Sequence, residues 1–167
     1  MRRKMIALAG VAALATAASA FGGENGVVAS ASGGYGFTGT AAGSFFDIGP
    51  FTWNVQIHDD DSVHGQFNYT QVRDGAALSA RGSITCAVIL DGHVWVGGII
   101  EESSRESLVG LDMWFQAQDN GEGEDAAPDM SSTLGAGPPG AGQQYCDDHP
   151  AVLFPFLVEQ GNLQVRG

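Results

Sequence analysis

The sequence predicts an all-β fold, and three observations carry that reading. Apolar and polar residues alternate over long stretches, and turn-forming residues punctuate those stretches. Outside the first twenty positions no apolar stripe recurs with helical period. Short strands joined by brief turns, with no helices between them, imply an antiparallel sheet. Sequential hairpins favour an up-and-down meander closing as a barrel of about eight strands. A two-sheet β-sandwich is the alternative.

The elements follow in order. Residues 1–20 read as a signal peptide: Arg2-Arg3-Lys4 is a charged start, Met5 to Ala18 an apolar run, and Ala18-Ser19-Ala20 a cleavage site before Phe21. A membrane span needs about 20 apolar residues, more than this run provides. The mature chain is therefore expected to be secreted, extracellular or periplasmic, and not held in a membrane. Residues 21–32 read as a flexible Gly/Ala/Ser leader, and 33–167 as one β domain, with a first strand near Gly33 to Thr38. The 147 or so residues left after cleavage suffice for one core.

From Phe51 to His58 every odd position is apolar and every even one polar. Asp59-Asp60-Asp61-Ser62 makes a turn, and Val63 to Val72 alternates again, with Phe67 and Tyr69 opposite Gln66 and Asn68. From Leu78 to Leu90 the even positions are apolar, which places Cys86 on the buried face. Asp91-Gly92 is a tight-turn dipeptide, and His93 to Glu101 returns with apolar residues on both faces. Val109 to Ala117 supplies the next inward face, Asp129 to Leu134 a short strand, and Leu163 with Val165 a closing strand. Gly135 to Gln144 reads as a linker, and Pro150 to Pro155 as a packed loop. Parity predicts one core containing Trp53, Val55, Ile57, Phe67, Ile84, Val88, Met113 and Phe115.

Charge excludes one class of partner. The chain carries 19 acidic and 7 basic residues, net −12. Three of the basic residues are Arg2, Arg3 and Lys4, so the body sets four against 19, or −15, and contains no lysine. Such a surface repels phosphate backbones, and nucleic acid is not an expected partner.

Two cysteines, Cys86 and Cys146, are expected to pair in an oxidising compartment. The chain-entropy model gives such a loop a stabilising effect on the order of 4 kcal/mol. Their separation does not suit a zinc site.

Five short signatures occur in order: Gly65-Gln66-Phe67-Asn68-Tyr69, Gly82-Ser83-Ile84-Thr85-Cys86, Gly97-Gly98, Asp119-Asn120-Gly121-Glu122-Gly123 and Gly161-Asn162-Leu163-Gln164-Val165. Together they resemble the post-COAP type of β domain of bacterial secreted and surface proteins, over about residues 33–166. The resemblance implies an antiparallel β module in a bacterial extracellular setting. It carries over no activity and no site residues.

The densest candidate site is Asp119, Asn120, Glu122, Glu124 and Asp125, with Asp129 close behind. Oxygen-rich loops of this kind hold calcium, although the spacing is not that of an EF-hand. A solvated hairpin loop turning at Asn120-Gly121 is the competing reading. His58, Asp59, Asp60, Asp61 and His64 form a second cluster, with both imidazoles on the polar face around one turn, open to a transition metal or to solvent alone. Glu101, Glu102 and Asp112 offer carboxylates of no specific pattern, and no GxSxG elbow is present. Asn68-Tyr69-Thr70 matches a glycosylation acceptor but falls inside a strand.

Two functions remain open on this reading. One is a non-catalytic extracellular module with a structural or partner-binding role, and no cofactor. The other is a barrel binding a small ligand or metal, with an enzyme included. A filled interior separates the first from the second.

Overall fold

The structure is a computed structural model that describes residues 26–41, 44–123, 126–151 and 156–167. The expected signal peptide, Glu124, Asp125 and most of the Pro150–Pro155 loop lie outside the described residues. Six strands follow one another as an antiparallel meander: β1 (Val27–Ala41), β2 (Ser44–His58), β3 (Val63–Arg73), β4 (Ala76–Leu90), β5 (His93–Ser103) and β6 (Asp112–Gln118). Two short strands, β7 (Met130–Ser131) and β8 (Gly135–Gly137), precede helix α1 (Ala141–Asp148). Strands β9 (Phe156–Leu157) and β10 (Gln160–Arg166) end the chain. All ten strands belong to one sheet, in the order β10-β1-β2-β3-β4-β5-β6-β7-β9, with β8 also on β6.

That single sheet curls strongly into a half-barrel. It replaces both the sandwich alternative and the expected count of about eight strands. Strand β1 starts at Val27, so Val27 to Ser32 pair with β2 rather than forming a leader. Their small side chains give almost no hydropathy contrast, which hid the alternation of buried Ala31 with exposed Ser32.

The core is the inside of the curl. Phe51, at no exposure, meets Phe115, Tyr69 and Tyr35 at ring-centroid distances of 4.9, 5.1 and 5.4 Å, all edge-on. Trp53 meets Phe115 at 5.1 Å. Edge-on packing sets the positive rim of one ring on the negative face of the next. Side chains from β1 to β6 and β10 therefore fill the interior.

Two parity expectations fail: Val109, placed on the inward face, is exposed at the end of a 3-10 turn (Glu106–Leu108) ahead of β6, and the other failure falls at a β-bulge. Ile84 pairs with Gly98 and Cys86 with the adjacent Gly97, so Thr85 is an extra residue on β4. A bulge of one residue exchanges the faces beyond it. Ala87 and Ile89 consequently turn toward the core, and the expected core residue Val88 does not belong to it. Cys86 is buried as expected, but outside the curl, where Cys146 of α1 is bonded to it.

Helix α1 corrects the linker reading. Its sequence is Ala-Gly-Gln-Gln-Tyr-Cys-Asp-Asp, in which only Gly142 and Cys146 are buried, so it has no apolar stripe to announce it. An isolated helix this short is unstable in water. Here Asp112 Oδ2 accepts from Gly140 N at 2.8 Å and Gly142 N at 3.0 Å, and the disulfide ties the far turn to β4. The helix covers the second apolar face of β5. A Cβ at Gly97 would lie 2.6 Å from Cys86 Sγ and press on Gly142 O, so glycine lets the helix approach.

Candidate functional site

In the acidic loop after β6, Asp119 and Asp129 accept backbone hydrogen bonds. Asp119 Oδ1 accepts from Gly121 N at 2.8 Å, and Oδ2 accepts from Val165 N of β10 at 2.9 Å. Asp129 Oδ1 accepts from Asn120 N at 2.9 Å, and Asn120 Nδ2 donates to Pro128 O. Glu122 is exposed. Among the described residues no group of three or more His, Cys, Asp or Glu side chains is placed to share a metal ion.

At the β2–β3 turn His58 and His64 do approach, with ring centroids 5.2 Å apart and edge-on. Asp60 Oδ1 accepts from Ser62 N at 3.0 Å; hydrogen bonding by the Ser62 side chain, and after it by this backbone N–H, holds the Asp60 carboxyl below its ordinary pKa. Of the scattered carboxylates, Glu102 pairs with Arg81 and Asp112 caps α1. Asn68 is exposed on β3, while the neighbouring Tyr69 is buried in the core.

What the structure assembles is a polar sheet face. On the outside of β10, β1, β2, β3 and β4, the polar positions of each strand align in three cross-strand rows. The central row is Gln164, Ser32, Asn54, Gln66 and Ser83. Two residues to one side the row is Asn162, Gly34, Thr52, Asn68 and Arg81, ending at Glu102 on β5. Two to the other side it is Arg166, Ser30, Gln56 and His64. The alternation that buries Phe51, Trp53 and Val55 aims Thr52, Asn54 and Gln56 outward.

Two shallow grooves of about 540 and 620 Å³ lie along this face and share Asn54 and Gln66. Asn54 Oδ1 accepts from Gln66 N at 3.2 Å, and Gln164 Oε1 accepts from Arg166 at 3.3 Å. The hydrogen bond that Arg81 donates to Glu102 raises the Arg81 pKa above its ordinary value. Glu102 is the sole acidic side chain in the three rows. Glu101 lines the same groove as Glu102, so two carboxylates stand against Arg81 and Arg166, and in a chain of net charge −12 this face is close to neutral.

Apart from Gly34, and from Ser30 and Ser32 in the expected leader, the residues of the rows were visible as polar strand positions in the sequence, but such positions read simply as solvent-facing. Their alignment depends on the cross-strand register, which links positions as distant as Ser32 and Gln164. Compared with family models, curated proteins and solved structures, the chain matches none. Among the described residues no helix is long and apolar enough to cross a membrane.

Proposed function

We propose that the chain is a secreted, non-catalytic β module of a bacterial extracellular setting that holds an external partner on the polar outer face of β10 to β4. The observation that carries this reading is the three-row polar array on five adjacent strands, most of it amide and hydroxyl side chains, exposed except at half-buried Ser30 and Ser83. Amides and hydroxyls both donate and accept, so the array suits a partner rich in the same groups. An interior filled with aromatic rings argues against a ligand held within the curl. The Cys86–Cys146 disulfide fits an oxidising compartment, and the ordered glycine motifs resemble the post-COAP type of β domain. On this reading the curled sheet acts as a barrel whose seam is closed by individual backbone and side-chain hydrogen bonds.

The test is fractionation of the producing cell. The wild-type protein is expected with the cell surface or matrix, and Gln66→Ala/Asn68→Ala/Gln164→Ala in the free medium, at an unchanged melting temperature. A variant distributed like the wild type would remove the face from the function.

A further inference from the structure

We infer that the occupant of this face is a neutral polysaccharide, its chain crossing the strands with successive sugars over successive strands; this rests on the partner-binding reading above. The face offers Asn54, Gln66, Asn68 and Gln164 amides beside Ser32 and Thr52 hydroxyls, the groups that pair with sugar hydroxyls in either direction. It has two cations, Arg81 and Arg166, at opposite ends, and Arg81 is already paired with Glu102. An anionic polymer would find no cationic track there and would meet the negative charge of the rest of the molecule. Against a protein partner, the rows hold no Trp, Tyr or Phe; their large side chains are His64, Arg166 and Arg81, the last already paired with Glu102.

Spacing supports the same occupant. Neighbouring strands lie about 4.8 Å apart, so the five-strand central row spans roughly 19 Å. A pyranoside chain repeats on a closely similar length, which lets one amide or hydroxyl meet each sugar in turn. Each such contact competes with water and is weak on its own. Affinity then comes from many units of one chain engaging the rows together, as multivalency requires.

The experiment is calorimetric titration of the purified, disulfide-intact protein with hydroxyethyl cellulose, laminarin and galactomannan, with alginate as the anionic comparison. At least one neutral polymer is expected to give saturable heat, and alginate none. The heat should persist from about 0.1 to 1 M salt, although screening shortens from ~10 to ~3 Å. Gln66→Ala/Asn68→Ala/Gln164→Ala should weaken the association roughly tenfold or more, while the circular dichroism spectrum stays unchanged. Gln66→Glu, which keeps the side-chain size, provides a second variant should the triple one misfold, and it too should weaken the association.

Heat from alginate alone, heat that vanishes with salt, or no heat from any of the three neutral polymers would overturn the proposal. So would binding that neither variant weakens. If none of the neutral polymers binds, yet the triple variant leaves the cell surface, the polysaccharide inference falls while the partner-binding reading stands.

Discussion

Tyr35 shows what one buried hydroxyl does inside the curl. It accepts from Trp53 Nε1 at 3.0 Å and shares a 2.7 Å hydrogen bond with Ser131 Oγ. Burial raises its pKa well above the ordinary phenol value, so the group stays neutral and can serve both partners. Removing only that oxygen leaves the indole N–H buried without its acceptor. Tyr35→Phe is therefore expected to cost about 1–3 kcal/mol, the penalty for an unsatisfied buried donor. Urea denaturation reads it directly, and an unchanged midpoint would show that the hydroxyl is dispensable. An exposed residue such as Gln66 behaves differently, since surface substitutions usually fall within ±0.5 kcal/mol. That contrast makes changes on the outer face informative about binding rather than folding. The sequence places Tyr35 in a possible first strand, but nothing local points to Ser131, 96 positions away.

At the level of elements, local alternation was enough to read the second half of β2, β3 and most of β4, because Phe51 to His58 and Val63 to Val72 each bury one face. It failed where a residue is inserted or where the partner is remote. The extra Thr85 reversed the parity of Val88 and Ile89. Helix α1 escaped notice because its stability comes from Asp112 and Cys86, 28 and 60 positions from their partners Gly140 and Cys146. The apolar outer side of β5 was the one available hint, since Trp95 needed a cover beyond the curl. Gln143 and Gln144 add bonds to Asp147 and Asp148, one turn further on. Asp112 supplies the cap that the helix itself lacks. Asp112→Ala should cost about 1 kcal/mol, as loss of a helix N-cap does. Hydrogen exchange should show the loss of protection concentrated in residues 140–148, with the β2–β3 ladder unaffected. Equal loss in both places would mean that Asp112 supports the sheet rather than the helix.

For the whole molecule the open question of a curled sheet is its seam. The strand order ends at β10 on one side and β9 on the other, and an unpaired edge invites pairing with another chain. Here the two margins meet through individual bonds. Glu159 N donates to Gly36 O at 3.1 Å, Tyr35 reaches Ser131 of β7, and Val165 N of β10 donates to Asp119 Oδ2 at the end of β6. Asp119 thus sits at two levels, turning its own loop through Gly121 and fastening the last strand to the sixth. Asp119, one residue of the expected calcium loop, thus has a part in closing the fold. Asp119→Ala removes two bonds to a carboxylate, and hydrogen bonds to charged groups contribute about 1.5–3 kcal/mol each. Partial compensation by water at this half-exposed site puts the expected loss nearer the lower value for the pair. Asp119→Asn retains one acceptor oxygen and should fall between the alanine variant and the wild type. Exchange of the β10 amides, Gln160 to Arg166, should accelerate in Asp119→Ala while β3 and β4 stay protected. If β10 remains as protected as before, its ladder to β1 holds it unaided and the seam owes nothing to Asp119.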